Sequence, residues 1–124
     1  MTRLIRHLAL PAGLLAGAIP AAAASIVATP PQYQVFPNPN QCFIANPGTK
    51  DLTVPRVELL NQNGSVLASA DNLLLEAGHI ENISGTGGGL TFCRAVGVSP
   101  KKIRLTHCVR SSTGAPCTAV TTGQ

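Results

Sequence analysis

Short runs of β-forming residues, each closed by a turn sequence, constrain the fold of this 124-residue chain more than any other feature. Residues 42–46 end at Pro-Gly-Thr, and residues 52–60 end at Asn-Gln-Asn-Gly, which favours a hairpin. Pro55 interrupts the second run and predicts a bulge or an edge position that shifts the alternation by one residue. Such runs recur about every ten residues without a convincing amphipathic helix, which predicts an all-β, antiparallel sandwich of about seven strands rather than a small barrel.

Residues 90–110 carry the strongest predicted strand pairing. Two β-forming runs flank Ser-Pro-Lys-Lys at 99–102, a turn sequence with Pro at its usual second position. A hairpin closed there pairs Val96 with Leu105 and Arg94 with His107. Because side chains alternate along a strand, one face is expected to gather the apolar residues Leu90, Phe92, Val96, Val98, Ile103, Leu105 and Val109. The opposite face is expected to carry Thr91, Cys93, Ala95, Gly97, Arg104, Thr106, Cys108 and Arg110.

Two further segments are interpreted as breaks between strands. Asp71-Asn72 is expected to punctuate the chain after a return strand at 65–69. The glycine-rich segment 85–89 is expected to be a flexible connector, because it lacks the Lys-Ser/Thr of a phosphate-binding loop and precedes a strand.

Residues 1–24 have the pattern of a secretory signal peptide. Two arginines make the start basic, residues 8–19 are apolar, and Ala22 and Ala24 are the small residues that a signal peptidase requires. An uncleaved membrane anchor is the alternative, but the apolar segment is too short to span a bilayer. The sequence therefore predicts a secreted or periplasmic protein.

The mature chain is expected to begin near Ser25. A Pro-rich arm or edge strand at 25–41 is predicted to precede the β-sandwich domain at 42–124. Removal of the two signal-peptide arginines leaves seven of the nine Lys and Arg against five Asp and Glu, so the net charge falls from +4 to +2. No membrane span is expected in this mature chain.

The remaining cations cluster weakly around residues 100–104. A surface for nucleic acid would need more cations and aromatic platforms, whereas this chain has no Trp, one Tyr and three Phe. The charged turn is therefore interpreted as solvated, and no nucleic-acid partner is predicted.

Four cysteines in an exported domain of this size predict two disulfides, for which three pairings exist. The predicted hairpin places Cys93 opposite Cys108, but that bridge would close a short loop and remove little unfolded-state entropy. Cys108 and Cys117 flank a short turn, and a Cys42–Cys93 bridge would tie the first strand to the hairpin across about fifty residues. Cys42–Cys93 with Cys108–Cys117 is therefore the favoured pairing.

The sequence contains no recognisable catalytic or metal-ligand pattern. The cysteine spacing does not fit a zinc site, and the neighbours His107 and Cys108 point to opposite faces of a strand. His107 could be oriented by Asp51 or Asp71, but a packing role is preferred because nothing local supports that pairing. The other titratable groups are isolated: Glu58, Glu76, His79 and Glu81. No cofactor, no metal and no enzymatic activity are predicted.

Four short motifs resemble the opening of Ig-like accessory modules of the ASPM/SPD-2/Hydin type. They are CFIANPGT at 42–49, LTVPRVELL at 52–60, NGSVL at 63–67 and LEAG at 75–78, where Ala77 stands in place of the usual Pro. Residues 90–121 are also similar to the end of small exported bacterial proteins. The resemblance implies an Ig-like sandwich in which the Asn-containing first strand pairs with the next, and it brings no catalytic or ligand residues.

The sequence thus favours an exported, non-enzymatic β-sandwich module that acts through surface contacts with an unknown protein or glycan partner. The alternative is a structural subunit of a surface fibre or pilus, assembled by strand addition from the 25–41 arm. A small hydrolase or inhibitor is a third hypothesis, and it would require a concave site.

Overall fold

The computed structural model describes residues 25–34, 39–110, 117 and 119–122, so the predicted signal peptide at 1–24 lies outside the described residues. The described residues form nine strands: β1 (Ile26–Ala28), β2 (Gln32–Gln34), β3 (Pro39–Ala45), β4 (Leu52–Asn61), β5 (Val66–Leu75), β6 (Ile80–Thr86), β7 (Gly89–Val96), β8 (Arg104–Val109) and β9 (Ala119–Thr122).

Two antiparallel sheets make up the fold. The first has the order β1-β7-β4-β5, with β2 also paired to β7, and the second has the order β6-β3-β8-β9. Apolar residues from both sheets form one core, to which β3 and β8 contribute Ile44 and Leu105 while β4 contributes Val57 and Leu59. The predicted all-β antiparallel sandwich with disulfides is therefore confirmed.

The predicted hairpin at 90–110 is wrong, because β7 and β8 lie in different sheets. The turn itself forms, and the amide of Lys102 donates to the carbonyl of Ser99 at 3.0 Å. However, Val96 pairs with Ile26 and with Arg56, so both edges of β7 are already occupied. The chain therefore crosses from one sheet to the other at this turn.

The predicted inward face of β7 is also wrong. Thr91, Cys93 and Ala95 are buried, whereas Leu90 is 40% exposed on the opposite face. The bridge from Cys93 to Cys42 of the facing sheet fixes this phase, because alternation then turns every second residue inward. On β8 the predicted phase holds, since Leu105 and Val109 are buried.

The resemblance to accessory modules implied pairing between β3 and β4, which the structure contradicts. Strand β3 pairs with β6 and β8 in the second sheet, while β4 pairs with β5 and β7 in the first. These two consecutive strands face each other across the core because residues 46–51 carry the chain between the sheets.

The β4–β5 hairpin forms at the predicted turn. The amide of Gly64 donates to the carbonyl of Asn61 at 3.0 Å, and Gly64 has a φ of 78°. The buried phase of β4 changes at Pro55 as predicted, since Val54 and Val57 are both buried. The pairing with β5 shows no bulge at Pro55, because its register shifts between Leu59 and Leu60 instead. Pro55 lies outside the stretch of β4 that pairs with β7, so its missing N–H breaks no bond to β7.

Asn72 lies opposite Pro55 and has a φ of 51°, but β5 continues through it, so the predicted break at 71–72 is wrong. The predicted connector at 85–89 is shorter than expected, because β6 extends to Thr86 and β7 begins at Gly89.

The proline-rich N-terminal segment is part of the first sheet. Its two short strands, β1 and β2, lie end to end along the outer edge of β7. Val27 is buried, and Thr29 exchanges two hydrogen bonds with the backbone of Cys93, one from its amide at 3.0 Å and one to its Oγ1 at 2.9 Å. Strand β3 already begins at Pro39, within the segment predicted to be an arm.

Candidate functional site

The two predicted disulfides are confirmed. Cys42 of β3 is bridged to Cys93 of β7, with their Cα atoms 5.7 Å apart, so this bond joins the two sheets through the core. Cys108 at the end of β8 is bridged to Cys117. None of the described cysteines is free. Both bonds are compatible with an extracellular or otherwise oxidising compartment.

His107 lies in a closed polar cluster between the sheets. Its side chain is fully buried, and its Nε2 lies 3.2 Å from Oδ1 of Asn40 and 3.3 Å from Oγ1 of Thr91. The Thr91 hydroxyl donates to the same Asn40 oxygen at 3.0 Å. Burial lowers the pKa of His107 below its ordinary 6.5, which favours the neutral ring. The cluster therefore packs the core and does not open to solvent.

Neither Asp51 nor Asp71 is a partner of His107. Asp71 binds Arg56 on the outer face of the first sheet, and Oδ1 of Asp51 accepts the amide of Ala77 at 2.9 Å. The other described histidine, His79, is exposed, and its Nδ1 lies 3.0 Å from Glu76.

Glu58 forms ion pairs with two arginines on the outer face of the first sheet. Its carboxylate lies 2.5 Å from Nε of Arg56 and 2.6 Å from Nη2 of Arg94, and the residue is only 4% exposed. Burial alone would raise the pKa of Glu58, but the hydrogen bonds from Arg56 and Arg94 bring it below its ordinary 4.5. These two cations therefore already have an anionic partner within the protein.

A cationic cleft of about 610 Å³ lies where residues 46–52 meet the turn between β7 and β8. Four cationic side chains line it: Lys50 from the first segment, Lys101 and Lys102 from the turn, and Arg104 from the start of β8. Asp51 is the one carboxylate in its lining. The volume is typical of small-molecule sites, which usually span about 300–1,000 Å³.

Asn46 holds one wall of the cationic cleft in place. Its side-chain amide donates to the carbonyls of Lys50 at 2.8 Å and Leu75 at 3.0 Å, and its Oδ1 accepts the amide of Gly48 at 3.0 Å. Asn46 follows β3 of the second sheet, and Leu75 belongs to the first sheet. This buried side chain therefore connects the cleft wall to both sheets. Because these three hydrogen bonds fix the backbone of this wall, the position of Lys50 at the cleft is fixed as well.

The opposite wall is the turn at which the chain changes sheets. Val98 and Ile103 are buried on either side of it, which anchors the turn to the core. The Ser99 carbonyl and hydroxyl accept the amides of Lys102 at 3.0 Å and Lys101 at 3.3 Å. Both lysine side chains are exposed above this anchored backbone.

The sequence predicted some of the cations of this cleft, but not that two distant segments form it together. The weak clustering of cations around 100–104 was visible, and it predicted only a solvated turn. Lys50 lies about fifty residues away along the chain and joins the cluster through a non-local approach of two loops, which no local pattern encodes. Proline and glycine at 47–48 were a turn signal, but a turn signal does not indicate what the turn will face.

Comparison with protein-family models, with curated proteins and with solved structures returned no match to this chain. Within the part of the chain that the structure describes, no helix is long and apolar enough to cross a membrane. The same residues contain no group of three His, Cys, Asp or Glu side chains that could hold a metal ion.

Proposed function

We propose that this protein is an exported, non-enzymatic β-sandwich module that acts by binding a partner at its surface. The cationic cleft carries the proposal, because it is a concave site built from two loops held on a disulfide-linked scaffold. Loops fixed on a rigid framework are where binding sites on β-sandwiches commonly lie.

Export is supported by two independent features. The signal-peptide pattern at 1–24 predicts translocation, and both disulfides suit an oxidising compartment such as the periplasm or the exterior of a bacterial cell. Cleavage after Ala24 would yield a mature chain that begins at Ser25. The intact mass of the exported product tests this, and a retained Met1 would contradict it.

An Ig-like relationship is part of the proposal. Two antiparallel sheets joined by a buried bridge between Cys42 and Cys93 have the arrangement that Ig sandwiches use, where a disulfide links facing strands across the core. The arrangement supports a scaffold role for the strands and leaves recognition to the loops.

The contacts of β1 and β2 favour the binding module over the fibre subunit. Strand addition between copies would require this segment to leave β7 and bind another copy. In the structure the segment lies on its own β7, buries Val27 and exchanges two hydrogen bonds with Cys93 through Thr29. These contacts already provide the outer edge of β7 with a partner from the same chain.

Complementation of a strain that lacks the protein tests the proposed function. A Lys101→Gln/Lys102→Gln variant is expected to lose function, while a His79→Gln/His107→Gln variant is expected to keep it with some loss of stability. Because His107 is buried, the single His79→Gln variant serves as a control that does not disturb the core.

Two outcomes would overturn the proposed function. A folded His79→Gln variant without activity would indicate chemistry at the exposed histidine. Full complementation by the double lysine variant would show that the protein does not act through the cationic cleft.

A further inference from the structure

We infer that the cationic cleft binds an oxyanion carrying at least two negative charges, such as a phosphate group or closely spaced carboxylates. This inference rests on the proposed function, and it names the chemical class of ligand that the binding module takes. Three observations carry it: the distribution of charge, the partners of each cation and the chemistry of the lining.

Positive charge is concentrated in the cationic cleft. Its four cations and one carboxylate give it a charge of +3, whereas the whole chain from residue 25 onward carries +2. The remainder of that chain is therefore net negative by one charge. A cleft of one sign raises the local concentration of ligands with the opposite sign and speeds their association.

The cleft cations lack the partners that the arginines of the first sheet possess. Arg56 and Arg94 both bind Glu58, but among the described residues no carboxylate lies within ion-pair distance of the cations in the cleft. Of the four, only Arg104 donates a side-chain hydrogen bond within the described protein, to the adjacent carbonyl of Ile103 at 2.9 Å. Their charges are therefore available to an external anion.

The net charge of the lining indicates the charge of the ligand. Oδ1 of Asp51 accepts the amide of Ala77, so this carboxylate stays in the lining and reduces the net charge of the cleft from +4 to +3. A monoanion would leave two positive charges without a partner. An anion with two or three charges would match the remaining +3 more closely, and the Coulomb attraction increases with each charge.

The lining also indicates which kinds of ligand the cleft does not suit. No aromatic side chain lines it, so there is no platform on which a nucleobase or a sugar ring could stack. Three of the four cations are lysines, which act as point charges with rotatable donors rather than as flat bidentate forks. The cleft is thus suited to charge recognition of a compact oxyanion.

Isothermal titration of the purified exported protein with pyrophosphate at low ionic strength tests the inference. Acetate is the monovalent comparison and is expected to bind about tenfold more weakly or not at all, because a smaller charge gains less attraction. Citrate presents closely spaced carboxylates instead of phosphate oxygens. Binding equal to that of pyrophosphate would indicate that the cleft recognises charge alone, and weaker binding would indicate that its ligand carries phosphate.

Two variants provide the matched comparison. Lys101→Gln/Lys102→Gln removes half of the cations and is expected to weaken pyrophosphate binding at least about tenfold. Lys101→Arg/Lys102→Arg keeps the charge and is expected to bind within about threefold of the parent protein. Both side chains are exposed, so both variants are expected to unfold at the parent temperature, which circular dichroism verifies.

Absence of pyrophosphate binding, or equal binding by the folded glutamine variant, would overturn the inference. If that variant fails to complement although the parent binds no anion, the ligand class is wrong while the surface-binding function stands. If pyrophosphate binds as expected and the variant still complements fully, the inferred site stands and the proposed function at the cleft is wrong.

Discussion

Removal of the inter-sheet disulfide is expected to destabilise the protein more than removal of the local one. Cys42 and Cys93 are 51 residues apart in sequence, whereas Cys108 and Cys117 are 9 apart. The chain-entropy relation for loop closure then gives about 4 kcal/mol for the long loop and about 2.6 kcal/mol for the short one at 25 °C. The expected difference is about 1.5 kcal/mol, because the longer loop restricts the unfolded chain more strongly.

Packing acts in the same direction as entropy. Cys42 and Cys93 are both completely buried in the core, while Cys117 at the end of the local bridge is only half-buried. Truncation to Ala removes a buried sulfur from two core positions in the first case and from one in the second. Each lost buried atom forfeits contacts that surrounding side chains recover only in part.

Guanidinium unfolding of the Cys42→Ala/Cys93→Ala and Cys108→Ala/Cys117→Ala variants provides the measurement. Far-UV circular dichroism is the suitable signal, because the chain has no Trp and its one Tyr is 71% exposed. With a slope of about 3 kcal/mol per molar guanidinium, the two midpoints should differ by about 0.5 M. The parent protein under reducing conditions serves as the control for loss of both bonds. Equal midpoints, or a lower midpoint for the Cys108→Ala/Cys117→Ala variant, would refute this reasoning.

Two further predictions concern a buried histidine and a constrained glycine. Because burial lowers the pKa of His107 below 6.5, the unfolded chain binds its proton more readily, so stability should be fully present above pH 6.5 and fall as the pH drops below it. His107→Gln should abolish that slope in urea unfolding between pH 7.5 and 5.5, and an unchanged slope would contradict the assignment. Gly97→Ala should cost more than about 2 kcal/mol, since its φ is 82° and a Cβ would lie 2.6 Å from Cγ of Pro55. Gly64→Ala, with a φ of 78° and open space around it, should cost only about 1 kcal/mol in the same thermal unfolding assay, and equal costs would exclude the contact with Pro55.

Local sequence patterns predicted the features that depend on neighbouring residues. The Asn-Gly turn placed the β4–β5 hairpin correctly, because its requirement for positive φ is a property of those residues themselves. The pairing of Cys108 with Cys117 followed from a short intervening turn. The phase shift at Pro55 also depended on a single residue that cannot donate a backbone hydrogen bond.

Choices among distant partners were not predictable in the same way. Residues 90–110 alternate as a hairpin would, and nothing in that stretch reveals that β1, β2 and β4 occupy both edges of β7. The inward face of β7 depends on the cross-core bridge of Cys93, so its alternation could be read in either phase. The sequence around Asn46 indicates only the end of a strand, although the three side-chain hydrogen bonds of this residue hold the cleft wall.

The same topology determines the order in which strands can pair while the chain is synthesised from its N-terminus to its C-terminus. Strands β1 and β2 pair only with β7, and β3 pairs only with β6 and β8. Until residue 80 has emerged, the β4–β5 hairpin is the one pairing available among the described strands. Strands β1, β2 and β3 therefore remain unpaired until much later parts of the chain have been made. Closing loops between residues so far apart in sequence is what makes β topologies slow to fold. The bridge from Cys42 to Cys93 can form only after residue 93, and with it most of the domain, has been synthesised.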